Sequence, residues 1–176
     1  NFLLELGSGF AFVGRQYKLI VGGDEVSYGR RSTNASTYRQ QYINELGDSV
    51  DWSKVHFLGK LAYADYLKVL QISAVHVYLT YPFVLSWSML EAMSAGCVLI
   101  ASATTPVKEV VTDGVNGLLV DFFDTHCLAT KVADVLAQPE NYFQMREEAR
   151  KKIVDSYDLF SHCLPKMLAF MKETNY

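Results

Sequence analysis

The residues best suited to bind a ligand stand together in the segment 86–96, which reads SWSMLEAMSAG. Serines at its start are typical N-cap residues, apolar residues follow at helical spacing, and Gly96 ends it before the apolar run 98–101. The segment therefore predicts a helix whose amino end lies at a strand end. Free N–H groups and the helix dipole attract anions and hydroxyl oxygens to such an end, and open parallel sheets bind ligands there.

Glu91 in this helix has two interpretations. If Ser88 is the N-cap, Glu91 completes a capping box by bonding back to the cap amide, and its role is structural. If Ser86 is the N-cap, Glu91 lies one turn into the helix and can accept hydrogen bonds from a pair of ligand hydroxyls. The sequence leaves both interpretations open. In either case the N–H groups of residues 86–89 are expected to be unpaired and to form the best anion site in the chain.

Other candidate chemistry is weaker. Gly22-Gly23 follows an apolar run, but no G-x-G-x-x-G pattern accompanies it, so an ordinary turn is favoured over a phosphate loop. A nicotinamide-dependent or flavodoxin-like domain would nevertheless bind its nucleotide there. No histidine or cysteine has the spacing of a zinc site, and no G-x-S-x-G elbow is present. We therefore expect no metal, no cofactor and no nucleophilic catalysis by this chain.

Composition narrows the class of protein. Sixteen basic and nineteen acidic residues among 176 give a formal charge of −3, which argues against nucleic acid as a partner. Three cysteines, an odd number without paired spacing, favour a reducing cytoplasmic compartment. No apolar run approaches the ~20 residues of a membrane helix. The chain starts at Asn1 without a methionine or a leader, which suggests a piece of a longer protein.

The elements that would position the segment alternate between strands and helices, the pattern of a parallel α/β sheet. We predict one domain, 1–176, with a helical segment over about 125–176 that covers the sheet or returns toward another domain. The predicted strands are 17–21, 55–58, 75–80, 98–101 and 118–120. The predicted helices are 36–46, 62–72, 87–95, 106–111, 125–137, 140–157 and 161–173.

Three stretches in this order carry a resemblance: VHFLG at 55–59, LEAMSAG at 90–96 and VVTDGVNGLLV at 110–120. Together they strongly resemble the retaining glycosyltransferases of family 4, also called group 1. The similarity runs from about residue 19 to residue 137. It corresponds to the C-terminal, donor-binding half of the GT-B fold, a Rossmann-like parallel sheet flanked by helices. The acceptor-binding N-terminal half of that fold is missing.

The resemblance implies a role for several residues. Glu91 would hold the ribose hydroxyls of a nucleoside diphosphate sugar, and the backbone around Leu61, just after Gly59, would meet the base. The diphosphate and sugar would face the amides of five consecutive residues, Leu85, Ser86, Trp87, Ser88 and Met89. Enzymes of this fold stabilise the departing diphosphate with helix dipoles and basic side chains, without a bound metal.

Two departures from the family pattern stand out. A second glutamate usually precedes the ribose-binding one by eight positions, where this chain has Phe83. An aromatic ring there cannot accept hydrogen bonds from the transferred sugar. The basic pair that contacts the phosphates would lie at or before Asn1. The isolated chain is therefore expected to bind its donor weakly and to be inactive alone.

The sequence thus predicts the donor half of a cytoplasmic hexosyltransferase that retains configuration, with the acceptor bound by the missing half. Peripheral association of the parent enzyme with a membrane is compatible with this prediction. The alternative is a non-catalytic nucleotide-sugar-binding or scaffold domain of the same fold, for which Phe83 is the evidence.

Overall fold

A computed structural model describes residues 10–13, 18–22, 35, 37–80 and 85–173. The backbone of these residues builds one six-stranded sheet in the order β3-β2-β1-β4-β5-β6. The strands are β1 (Phe10–Val13), β2 (Lys18–Gly22), β3 (Val55–Gly59), β4 (Val75–Tyr78), β5 (Val98–Ser102) and β6 (Leu118–Val120).

Five of these strands run parallel to one another, as predicted. β2 pairs with β3, β4 with β5 and β5 with β6, all in parallel register. β1 is antiparallel to both of its neighbours, β2 and β4. This strand was not predicted, and it lies where the strand order reverses. Because the five parallel strands share one direction, their carboxyl ends meet at one edge of the sheet.

Seven α-helices follow the strands within the described residues. They are α1 (Tyr38–Leu46), α2 (Tyr63–Ile72), α3 (Trp87–Ser94), α4 (Thr105–Lys108), α5 (Thr125–Ala137), α6 (Phe143–Tyr157) and α7 (Leu164–Glu173). The predicted bounds of α5 are confirmed, and those of the other helices differ at their ends. α4 is shorter than predicted: it ends at Lys108, followed by Glu109 in helical geometry as the C-cap, and the chain then enters the turn before β6. A single π-helical turn, Leu159–Cys163, precedes α7.

Alternating side chains of the central strands enter two cores, one on each face of the sheet. One core packs β4, β5 and β6 against α5 and contains Val75, Val77, Val98, Ile100, Val120, Leu128 and Val135. The other packs β4 and β5 against α3, α4 and α6 and contains Tyr78, Leu99, Ala101, Met89, Met93, Val107, Ala149 and Ile153. Helices on both faces explain why β4 and β5 are buried along their whole length.

The second core fixes α3 in place. Met89 and Met93 are both fully buried, and burial of each side chain contributes about 1.5–3 kcal/mol. On the same helix, Trp87 is 81% exposed and Glu91 is half-buried. The helix therefore presents one side to the core, while Trp87 and Glu91, four residues apart, share the other side at its amino end.

Candidate functional site

The amino end of α3 is built at the carboxyl end of β4. Tyr78, the last residue of β4, is buried, and its hydroxyl accepts a hydrogen bond of 3.1 Å from the Ser86 N–H. The Ser86 side chain in turn accepts a hydrogen bond of 3.3 Å from the Ser88 N–H. Ser86 has extended backbone geometry, with φ −89° and ψ 144°, and is the N-cap of the helix. The helix therefore begins at the edge of the sheet where the parallel strands end.

The position of the N-cap decides between the two interpretations of Glu91. With Ser86 as the cap, Glu91 stands five residues later, so the capping box with Ser88 is not formed. The Glu91 carboxylate reaches another helix instead, because its Oε1 accepts a hydrogen bond of 3.1 Å from the Tyr63 hydroxyl. Glu91 is thus free of a capping role and lies where α2 and α3 approach each other.

The expectation of four unpaired N–H groups at residues 86–89 is wrong. The Ser86 and Ser88 N–H groups are used as described above, and the Met89 N–H donates to the Ser86 carbonyl at 3.2 Å. Capping interactions have satisfied them, as happens at most helix starts. Among the described residues, the Trp87 N–H makes no hydrogen bond. Within the described ranges it is the amide of this helix start that lacks a partner, and the Trp87 residue is 81% exposed.

A second helix start faces the same site. β3 ends at Gly59, whose φ of 65° turns the chain away from the sheet at little cost for a glycine. Leu61 follows, half-buried, and α2 begins at Tyr63. The hydrogen bond from Tyr63 to Glu91 brings this connection to α3. The structure thereby places Gly59 and Leu61 on a segment that leads directly to the partner of Glu91.

Two tyrosines beside Glu91 were not singled out in the sequence. The rings of Tyr63 and Tyr66 lie with their centroids 6.2 Å apart. Their spacing of three residues at the start of a predicted helix was the available signal, because it puts both on one helix face. The hydrogen bond to Glu91 and its charge raise the pKa of Tyr63. Burial, together with the charge of Glu91, raises the pKa of Tyr66 well above its usual range.

The Tyr66 hydroxyl is buried and has no hydrogen-bond partner among the described residues. Because the pKa values of Tyr63 and Tyr66 are both raised, both phenols are protonated at neutral pH. Two hydroxyl donors therefore lie beside the Glu91 carboxylate, which is an acceptor. A carboxylate surrounded by hydroxyl donors suits a ligand that presents hydroxyl groups, since it has further acceptor capacity on both oxygens.

The remaining sequence candidates lie elsewhere or outside the described residues. Gly22 ends β2 opposite Gly59, whereas Gly23 and Phe83 lie outside the described residues. Cys97 is buried and its thiol donates to the Leu70 carbonyl; burial raises its pKa to about 12, so it is an unreactive thiol. No group of three or more histidine, cysteine or acidic side chains within the described ranges could hold a metal ion.

Comparison with known proteins places this arrangement in a family. The model of the family "Glycosyl transferases group 1" matches residues 13–152, most of the chain. The chain belongs to this family. No curated protein matches it.

Solved structures show the same fold as this group 1 glycosyltransferase chain. HepE of Anabaena, in complex with UDP-glucose, has a TM-score of 0.72 and 20% identity over 93% of this chain and 42% of its own. Sucrose-phosphate synthase from Thermosynechococcus elongatus has a TM-score of 0.65 and 23% identity over 87% of this chain and 37% of its own. The chain therefore spans less than half the length of these two proteins.

A third structure is itself a domain. It is the C-terminal domain of the group 1 glycosyl transferase LpcC from Francisella tularensis, with a TM-score of 0.60 and 17% identity over 69% of this chain and 63% of its own. The predicted family and the predicted α/β architecture, a Rossmann-like sheet of the GT-B type, are confirmed. Within the described residues, no helix has the length and apolar character to span a membrane.

Proposed function

We propose that this chain is the donor-binding half of a glycosyltransferase that moves a hexose from a nucleoside diphosphate sugar to an acceptor with retention of configuration. The observation that carries the proposal is the half-buried Glu91 carboxylate at the meeting point of α2 and α3, held by Tyr63 and free of a capping role. HepE, which shares the fold, has been crystallised with UDP and with UDP-glucose.

In this proposal, different residues of the site bind different parts of the donor nucleotide sugar. Glu91 accepts hydrogen bonds from the two ribose hydroxyls, which are donors matched to the acceptor-only carboxylate. The backbone around Gly59 and Leu61 meets the base. The amino end of α3 faces the diphosphate, where the open Trp87 N–H and the positive end of the helix dipole act together.

The same helix end would assist the reaction. Negative charge builds on the diphosphate as the bond to the sugar breaks, and a preorganised N–H group and helix dipole stabilise that charge in the transition state. This contribution needs no metal and no cofactor, and the nucleoside diphosphate sugar is a substrate. The acceptor is bound by a domain outside this chain, so the chain alone is inactive and binds its donor weakly. Its three free cysteines suit a cytoplasmic parent enzyme.

Substitution of Glu91 by Gln tests the proposal. The variant keeps the shape of the side chain and removes its charge, so we expect nucleotide binding to weaken by ~1–3 kcal/mol. Heteronuclear NMR titration with UDP and with GDP measures weak affinities and shows which amides respond. Glu147→Gln, at an exposed position of α6, is the matched control and should bind as the wild type does. Equal affinity of Glu91→Gln and the wild type would return Glu91 to a structural role.

The second candidate function is a non-catalytic nucleotide-sugar-binding or scaffold domain. It is favoured by Phe83, which stands where the family usually has a glutamate. A non-catalytic nucleotide-sugar-binding domain would also bind its nucleotide at Glu91, so binding does not separate it from the enzyme. Assay of the full-length parent protein against a panel of nucleoside diphosphate sugars does, because only the enzyme releases a nucleoside diphosphate in the presence of acceptor.

A further inference from the structure

Tyr63 and Glu91 form a contact between two helices. The tyrosine is the first residue of α2 and lies 28 positions before Glu91 in the sequence, yet its hydroxyl donates to the Glu91 Oε1 at 3.1 Å. The Tyr63 side chain is otherwise open to solvent, with 62% of the residue exposed. Burial therefore does not fix this ring, and its hydrogen bond to Glu91 is a feature of the site surface.

The hydrogen bond leaves the carboxylate able to bind a diol. Each oxygen of a carboxylate offers two acceptor positions, so Tyr63 takes one of about four and leaves others for the hydroxyls of a ligand. Because this hydrogen bond and the charge of Glu91 raise the pKa of Tyr63, the phenol stays protonated and remains a donor at neutral pH. Tyr63 thus holds the Glu91 carboxylate while leaving some of its hydrogen-bond acceptor positions for a ligand.

Holding the carboxylate has a consequence for affinity. A glutamate side chain that is free to rotate loses rotamer entropy when it binds a ligand, whereas one already fixed loses less. The Tyr63 ring itself lies beside a partly buried ring, since the centroids of Tyr63 and Tyr66 are 6.2 Å apart. The Tyr63 hydroxyl is therefore placed to prepare Glu91 for two ligand hydroxyls.

We infer that Tyr63 is a positioning residue that orients Glu91 for the ribose diol and so makes the site selective for nucleotides with both ribose hydroxyls. The inference rests on the proposed function, because it takes Glu91 as the ribose ligand. It assigns Tyr63 no contact with the reacting atoms.

The test compares two nucleotides on two variants. Tyr63→Phe removes only the hydroxyl, and Tyr142→Phe removes the same group from a half-buried tyrosine packed against the core on the α5 face. UDP and 2′,3′-dideoxy-UDP are titrated into each variant and into the wild-type chain, with GDP and its dideoxy form in parallel. Thermal unfolding checks that each variant is folded.

We expect Tyr63→Phe to bind UDP about three- to tenfold more weakly, the effect of one lost hydrogen bond, and dideoxy-UDP with unchanged affinity. Tyr142→Phe should bind both as the wild type does. In the Glu91→Gln background, Tyr63→Phe should have no further effect on UDP, because the two residues act through one contact.

Three results would overturn the inference. Tyr63→Phe could bind UDP as the wild type does or more tightly, which would make the hydroxyl idle or a competitor of the ribose. It could instead lose affinity for UDP and dideoxy-UDP equally, which would make its role structural. A wild-type chain that binds neither UDP nor GDP would refute the proposed function, and this inference with it.

Discussion

His76 carries an ionisable ring into the interior of the sheet. The residue is 2% exposed on β4, and neither ring nitrogen has a hydrogen-bond partner among the described residues. Burial of this kind disfavours the charged form, and it lowers the pKa of His76 from 6.5 to about 4. The imidazole is therefore neutral in the folded protein at neutral pH and serves as a core side chain.

The lowered pKa of His76 predicts how stability depends on pH. Between the unfolded and folded pKa values, the unfolded chain binds a proton that the folded chain does not, so stability falls as the pH falls. From about pH 7 to about pH 5 we expect His76 to account for about 2 kcal/mol of lost unfolding free energy. Urea unfolding of the wild type, His76→Leu and the exposed-site control His126→Leu measures it. A wild type and a His76→Leu variant with identical pH dependence would contradict the prediction.

Glu91 and Tyr63 show what sequence can provide at the scale of single residues. Helical spacing singled out Glu91, but its two interpretations depended on where the helix begins. Ser86 and Ser88 are both suitable N-cap residues, and the sequence alone does not choose between them. The partner of Glu91 comes from another helix, and local patterns carry no information about which helix starts approach each other. The supporting hydroxyl was therefore found only in three dimensions.

At the scale of elements, the turn between α4 and β6 is fixed by one buried side chain. Asn116 Oδ1 accepts from the Thr112 N–H at 2.7 Å, and its Nδ2 donates to the Val110 carbonyl at 3.0 Å. Gly114 has a φ of 74°, which favours glycine, and a Cβ on Gly117 would lie 2.9 Å from Val111 Cγ1. These two glycines therefore have a structural role in the turn.

Substitution of Asn116 tests how much this turn contributes. Asn116→Ala removes the partner of the part-buried Thr112 N–H and of the buried Val110 carbonyl, so we expect it to lower the free energy of unfolding by about 2–4 kcal/mol. Asn116→Asp keeps the acceptor for Thr112 but faces the Val110 carbonyl with a carboxylate, and should also destabilise. Asn44→Ala, at an exposed position of α1, is the control and should cost under about 1 kcal/mol. Chemical denaturation provides the values; an Asn116→Ala variant as stable as the control would refute the assignment.

At the scale of the whole molecule, the architecture was predictable where strands and helices alternate regularly along the chain. Alternation of apolar strands and helices predicted the parallel sheet, and all five predicted strands are present. β1 was not predicted from the sequence. It has only four residues and antiparallel partners on both sides, so it lacks the strand–helix alternation that marked the other strands. The pairing of the N–H groups at the start of α3 was also not predicted, because the Tyr78 hydroxyl that accepts from the Ser86 N–H belongs to another element, β4. Periodic local signals predict architecture, whereas contacts between elements complete the site.

The central claim is that the donor nucleotide binds between the amino ends of α2 and α3 with its ribose on Glu91. A crystal structure of the chain with UDP measures this most directly. The claim predicts both ribose hydroxyls within about 3.2 Å of the Glu91 carboxylate and the diphosphate at the Trp87 N–H. UDP bound at the Gly22 end of β2, with Glu91 contacting only protein, would contradict it.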